Sequence, residues 1–311
     1  MTNDLPQSAY LFTVFTPTFN RAHTLDGVYK SLECQTLQNF EWLIVDDGST
    51  DGTEALVANW QQMAEFPIVY KKQSNNIGKH CATNRAVSLA SGEFFLTFDS
   101  DDTCVPTALE RLYWHWCEIP DKDKSRFSAV TALCINDQQE IVGEQFPYSP
   151  FDSNSLETEY VYRVKGEKWG FQRTSIMKEY PFPEHLGGHY VPEGLVWTRI
   201  ARRYQTRYVN EGLRFYNRST NQLTRQSAIL AAPQRAYYYQ EVLNEHTDYL
   251  RRNARAYVRN AANLLRYNHH IGTTFHSTIL QTNSRLSQLV LVCSIPVALI
   301  VTFYDSWRDN R

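Results

Sequence analysis

The sequence predicts an α/β fold, a mostly parallel sheet in an α/β/α sandwich, followed by a helical extension. Three observations carry this reading. Strand-length apolar runs alternate with helical patterns over residues 11–98, and a polar cluster follows several of those runs. The last cluster, Asp99-Ser100-Asp101-Asp102, sets three carboxylates at the end of a run too apolar to hold them for packing.

Leu11-Phe12-Thr13-Val14-Phe15-Thr16 reads as the first strand, and a helical pattern follows from Leu25 to Gln35. Trp42-Leu43-Ile44-Val45 is the second strand; the polar turn Asp47 to Gly52 then caps a helix from Thr53 to Gln61. Ile68-Val69-Tyr70 is the third strand and Lys79 to Ala90 the next helix, leading into a buried strand, Gly92 to Phe98. Ala129 to Ile135 is a further strand, whereas Gly143 to Lys168 is polar, aromatic and unassigned. Glu193 to Tyr204 reads as a helix after the Gly187-Gly188 break and Pro192, and a long helical stretch runs from Pro233 to Tyr267.

In open sheets of this kind ligands bind beyond the carboxyl ends of the strands. Pro17 to Arg21, Asp46 to Ser49 and Asp99 to Asp102 each stand at such an end, so they are expected to converge on one site. Crowded carboxylates repel one another, and the economical way to neutralise them is a hard, oxygen-seeking cation such as Mg or Mn with a phosphate-bearing substrate.

Composition bounds the alternatives. With 311 residues, 42% of them apolar, the chain can bury a full core. A formal charge of −2 argues against a nucleic-acid partner, although thirteen arginines, no lysines and four acids fall between Arg199 and Arg266. The six cysteines have no zinc-site spacing and no secretory leader pattern opens the sequence, which sets the expectation of a reducing, cytoplasmic compartment.

Leu289 to Tyr304 is an apolar run interrupted only by Ser294, Pro296 and Thr302, flanked by Arg285 and by Asp305, Arg308 and Arg311. As a helix it would extend roughly 24 Å, short of the roughly 30 Å hydrocarbon core. Insertion into, or lying along, the cytoplasmic membrane surface is therefore expected, with the arginine- and tyrosine-rich stretch before it facing anionic headgroups. The alternative is packing against the core or a second subunit, which leaves a homo-oligomer open.

The motifs Phe15-Thr16-Pro17-Thr18-Phe19-Asn20-Arg21, Ile44-Val45-Asp46-Asp47-Gly48-Ser49-Thr50-Asp51, Asn76-Ile77-Gly78 and Phe98-Asp99-Ser100-Asp101-Asp102, in this order, resemble glycosyltransferase family 2. The likeness is strong over residues 10–115 and weaker to about 220. It implies the Rossmann-like GT-A fold and an inverting transfer of a sugar from a nucleoside-diphosphate sugar, commonly UDP-linked, to an acceptor hydroxyl. It also implies a divalent cation, Mn or Mg. The organisation it implies is a domain over residues 1–225, with a nucleotide-binding half at about 10–115 and an acceptor half at about 116–225. A helical, membrane-associating extension would occupy residues 226–311.

Carried over by motif, Pro17, Phe19 and Asp47 would hold the nucleotide base, with Thr16, Arg21, Gly78, Lys79, Asn84 and Asp99 completing the donor site. Asp99 and Asp101 match the family's DxD motif, Asp101 as the direct metal ligand and Asp102 as the alternative. Glu193 matches the family's catalytic acidic residue, at a helix start that suits a carboxylate waiting to accept a proton. Where many members read A-R-N the chain has Ala82-Thr83-Asn84, so Lys79, His80 or Arg85 would replace the missing arginine. The processive Q-x-x-R-W signature is absent, which favours single-sugar transfer; His80, Trp197, Arg199 and Arg202 are the candidates for the acceptor and its phosphates, the arginines for a polyprenyl-linked diphosphate. The resemblance points to surface polysaccharide or lipopolysaccharide assembly, and the rivals are a catalytically weak scaffold of the same fold and a metal-dependent nucleotidyltransferase. A nicotinamide-dependent reductase would need the G-x-G-x-x-G that the first strand lacks.

Overall fold

The computed structural model describes residues 8–188, 190–216 and 227–309. The chain forms two compact units, Met1–Phe182 with Thr198–Ser219, and Pro183–Trp197 with Thr220–Arg311. The boundary expected near residue 225 lies outside the described residues.

The first unit opens with β1 (Tyr10–Thr18), α1 (Leu25–Glu33), β2 (Phe40–Asp46), α2 (Thr53–Met63), β3 (Ile68–Lys72), α3 (Lys79–Leu89) and β4 (Gly92–Thr97). It continues through β5 (Thr103–Cys104), α4 (Ala108–Cys117), α5 (Asp121–Lys124), β6 (Phe127–Ile135), β7 (Phe151–Ser153), α6 (Ser155–Tyr160), β8 (Lys168–Arg173) and α7 (Thr174–Glu179). Next along the chain are α8 (Gly194–Ala201), shorter than the sequence pattern implied and with its first four residues in the second unit, and β9 (Gln205–Phe215).

The strands lie in the order β3-β2-β1-β4-β8-β6-β9-β5, with β7 pairing β9. The first four are parallel, as their alternation with helices required, whereas β8 runs antiparallel to both β4 and β6. The sheet is therefore mixed, and its antiparallel pairings come mainly from segments whose sequence carries no strand signal.

Alternation along the strands builds the layers. Phe12, Val14, Phe40, Trp42, Ile44, Phe94 and Leu96 point into one core with Leu25, Val28, Tyr29 and Leu32 of α1. The i, i+3, i+4, i+7 spacing of those α1 residues is one helix face. Trp60 of α2 stacks on Tyr29 at 4.8 Å, and Trp116 of α4 meets Phe94 edge-on. On the opposite face Phe15 stacks on Phe95, and α3 and α7 pack against β1, β2 and β4. Register aligns Thr18 with Asp46 and Phe15 with Thr97, which brings the carboxyl ends of β1, β2 and β4 to one edge.

The second unit contains α9 (Ala232–Glu245), α10 (Ala254–His270), α11 (Phe275–Leu280) and α12 (Arg285–Asp309). The single long helix expected over 233–267 is thus two. A 3-10 turn at Thr247–Tyr249 interrupts it, and Asn253, at φ −150°, caps α10 by accepting from Ala256 N at 3.1 Å.

The terminal apolar run is part of a 25-residue helix, roughly 37 Å long, so the expected shortfall in length does not hold. Among the described residues, Arg285–Asp305 is the one helix long and apolar enough to cross a membrane. Its polarity is inverted. Ser287, Leu291, Ser294, Ala298, Thr302 and Asp305 form a buried seam at helical spacing, while Leu289, Ile300 and Phe303 are 61%, 72% and 74% exposed. Ser287 Oγ donates to Leu243 O at 2.8 Å, and Ser294 Oγ reaches Val258 O. Asp305, which flanks the apolar run in the sequence, is buried between Arg266 and His270 of α10. Arg311 lies outside the described residues.

Candidate active site

Hydrogen bonds stitch the loops after β1 and β2 together. Ser49 Oγ accepts from Asn20 N and Asn20 Oδ1 from Thr50 N, both at 2.8 Å, and Asp51 accepts from Ala22 N. Asp46 closes the end of β2 by accepting from Ser49 N and from the Tyr70 hydroxyl, whose pKa is raised by burial and by that carboxylate.

Asp47 ties this loop to the segment before α3. Its Oδ1 accepts from Gln73 Nε2 and Ile77 N, its Oδ2 from Gly78 N, at 2.8–3.0 Å. A carboxylate has about four acceptor positions, so one is left for another partner. Gly48, at φ +88°, lies against the backbone of Asn75 and Asn76, where a Cβ would come within 3.0 Å of a carbonyl carbon.

The acidic loop after β4 is met by three basic side chains. Lys79 Nζ lies 2.8 Å from Asp99 Oδ1, Arg214 Nη2 lies 3.1 Å from Asp99 Oδ2 and also bonds Asp102, and Arg21 Nη1 is 3.6 Å from Asp101. Burial alone would raise the Asp99 pKa, but Lys79 and Arg214 hold it down at about 2. For Arg214 the burial penalty is outweighed by Asp99 and Asp102, so its charge is reinforced. Crowding of the carboxylates is therefore relieved within the chain, and does not by itself demand a metal.

The donor set still fits one. A Mg- or Mn-type cation shared with a diphosphate takes one or two protein carboxylates and draws its other oxygens from phosphate and water. Asp101 retains 20% side-chain exposure and the longest of these ion pairs, whereas Asp102 is buried at 1%. Among the described residues no group of three or more His, Cys, Asp or Glu side chains could hold a metal.

Of the other expected residues, Phe19 is 41% exposed and Pro17 half-buried at the same edge. The Thr16 hydroxyl is buried and accepts from the Trp42 indole at 2.9 Å, so it belongs to the packing beneath the loops. Asn84 exchanges two 2.9 Å hydrogen bonds with the backbone of Phe182, and His80 is buried. Glu193 and Trp197 belong to the second unit, and Arg199 and Arg202 to the first. Glu193 immediately precedes α8, and its carbonyl accepts from Val196 N and Trp197 N.

Arg214 was not anticipated. It stands 112 residues after Asp102, in Gly212-Leu213-Arg214-Phe215, where nothing local marks it.

Residues 13–123, which hold all three loops, match the family described as Glycosyl transferase family 2. This stretch belongs to glycosyltransferase family 2. A relative in Campylobacter jejuni, GalNAc(5)-diNAcBac-PP-undecaprenol beta-1,3-glucosyltransferase, is 24% identical over 229 residues, covering 72% of this chain and 69% of its own. S. aureus TarS 1-349 in complex with UDP-GlcNAc superposes with a TM-score of 0.60 at 18% identity, covering 91% of this chain and 79% of that one. The mannosyltransferase PcManGT from Pyrobaculum calidifontis, in complex with GDP-Man and Mn2+, gives 0.58 at 17% identity, over 96% and 84%. At these identities the structures establish the fold, which is GT-A. Arg214 lies beyond the segment that matches the family 2 description.

Proposed function

We propose that this protein transfers a sugar from a nucleoside-diphosphate sugar, UDP-linked in the first instance, to an acceptor hydroxyl with inversion at the anomeric carbon. The observation that carries the reading is the arrival at one sheet edge of an exposed aromatic loop, an Asp47-bound loop and a carboxylate loop interleaved with basic side chains. Phe19 and Pro17 would offer a face to the base, and the remaining acceptor position of Asp47 its imide N–H. Lys79 and Arg21 carry positive charge to the place where phosphate oxygens would lie. Asp101, with Asp99 beside it, would hold the cation, for which Asp102 is too deeply buried. When bound, a Mn or Mg ion supplies Lewis-acid stabilisation of the departing nucleoside diphosphate. Glu193 would take the proton from the attacking hydroxyl, as a single inverting displacement requires.

The undecaprenyl diphosphate in the name of the Campylobacter relative favours a lipid-linked acceptor and a role in surface polysaccharide or lipopolysaccharide assembly. Arg199 and Arg202 are suited to its phosphates. The inverted polarity of α12 supports attachment to the cytoplasmic membrane surface: its outward face is apolar, and Arg251, Arg252, Arg255 and Arg285 of the same unit are exposed for anionic headgroups.

Nucleotide release across a panel of UDP- and GDP-sugars, with and without Mn2+, tests the reading. Metal-dependent release of UDP from at least one donor is expected. A second reading, a binding scaffold of the same fold, is favoured by the internal neutralisation of Asp99, Asp101 and Asp102, and absence of release from every donor would select it.

A further inference from the structure

Two arginines in this unit engage carboxylates in different ways. Arg111 of α4 presents Nε and Nη2 to the two oxygens of Glu211, at 2.9 and 2.6 Å, which is the paired fork that satisfies a guanidinium best. Arg214 does not. It is 6% exposed, its Nη2 is shared between Asp99 and Asp102, and its buried Nε makes no hydrogen bond among the described residues. An unmet buried donor is unfavourable and asks for a reason.

The reason lies in what the shared bond holds. Asp99 and Asp102 bracket Asp101, and Asp102 N also donates to Asp99 O at 3.2 Å, so the loop is a tight turn with a guanidinium clamped across its two ends. Lys79 takes the other oxygen of Asp99. The outer carboxylates are thereby fixed, and Asp101 between them keeps the longest ion pair and a partly exposed side chain. On β9, Arg214 is itself fixed by pairing with Cys134 of β6 and Cys104 of β5.

We propose that Arg214 is a positioning residue for sugar transfer: by bridging Asp99 and Asp102 it sets the turn that presents Asp101 to a diphosphate-bound divalent cation. This rests on the nucleotide-sugar reading of the site. A bridge of this kind contributes to metal-assisted nucleotide binding while leaving contacts to the base untouched.

The test is calorimetric binding of UDP, with and without Mn2+, to the full chain and to two variants, Arg214→Lys and the charge-balanced double variant Arg214→Met/Asp102→Asn. The double variant removes a buried cation with its buried partner, which keeps the fold from carrying a lone charge; its melting temperature is measured alongside. The expected result is that Mn2+ tightens UDP binding to the parent protein, and that at least tenfold of this tightening is lost in the folded variants while binding of UDP alone stays within threefold. Variants that fold and retain the full Mn2+ effect would overturn the role of Arg214. A parent protein that binds no UDP under either condition would overturn the nucleotide-sugar reading itself, and the proposal with it.

Discussion

Asp305 on α12 accepts from Arg266 on α10 through both carboxylate oxygens, Nε to Oδ2 and Nη2 to Oδ1, each at 2.5 Å. His270 shares Oδ2 at 2.8 Å. Removing one partner of a buried pair leaves the other charge without compensation, which costs on the order of 3 kcal/mol. Asp305→Ala is therefore expected to lower the unfolding free energy read from urea titration by roughly that amount, and Arg266→Met/Asp305→Leu by much less. Equal losses in the two variants would assign the stability to packing.

Glu193→Gln preserves shape and removes the proton acceptor. Loss of a positioned base typically lowers turnover by about 10²- to 10⁴-fold. With kcat falling in that range and the donor KM moving less than threefold, Glu193 acts in the chemical step. Full turnover would remove it from the site.

The native cysteines report on the outer face of α12. Cys34, Cys117 and Cys293 are exposed, whereas Cys81, Cys104 and Cys134 are buried, with burial pushing the Cys104 and Cys134 thiols up, the latter to about 12. A water-soluble maleimide should label three thiols quickly. Vesicles containing phosphatidylglycerol should protect Cys293 while Cys34 and Cys117 stay reactive. Protection that scales with protein concentration and needs no vesicles would identify a second copy of the chain as the cover instead.

Glu211 joins β9 to α4, and its hydrogen bonds from Arg111 and then His115 hold its carboxyl below the usual range against the opposing effect of burial. A carboxyl lowered in this way stabilises the fold above its unfolded pKa of about 4.3, and the contribution disappears as pH falls through the folded value. The melting-temperature gap between the parent protein and Glu211→Gln should be larger at pH 5 than at pH 3. A gap independent of pH down to 3 would exclude the charge as its source.

The parallel half of the sheet was legible because β1, β2 and β4 are buried on both faces, and runs such as Phe40 to Val45 can scarcely be anything else. The positions of the loops were legible for a related reason, since a polar cluster directly after such a run marks the carboxyl end of a strand. β8 and β9 were not, because Trp169, Phe171, Val209 and Leu213 sit among charged neighbours whose partners lie far away in the chain. Arg207, for instance, is accommodated by Asp152, and Arg214 by Asp99 and Asp102. Nor could the sequence tell that Asp305 faces inward. An acid at the end of an apolar run looks like a boundary until its arginine is placed beside it.

The seam of α12 reverses the usual rule about which positions tolerate change. In a water-soluble helix the hidden face needs only matching volume, and the exposed face is free. With α12 attached to a membrane as proposed, the exposed face would ask only for greasy side chains, so Leu299, Ile300 and Phe303 would be interchangeable with one another in kind. Ser287, Ser294 and Asp305 are bound to particular atoms of the neighbouring helices and admit few substitutes. Across natural or laboratory variants of this chain, the polar letters inside its most apolar segment should be the slowest to drift.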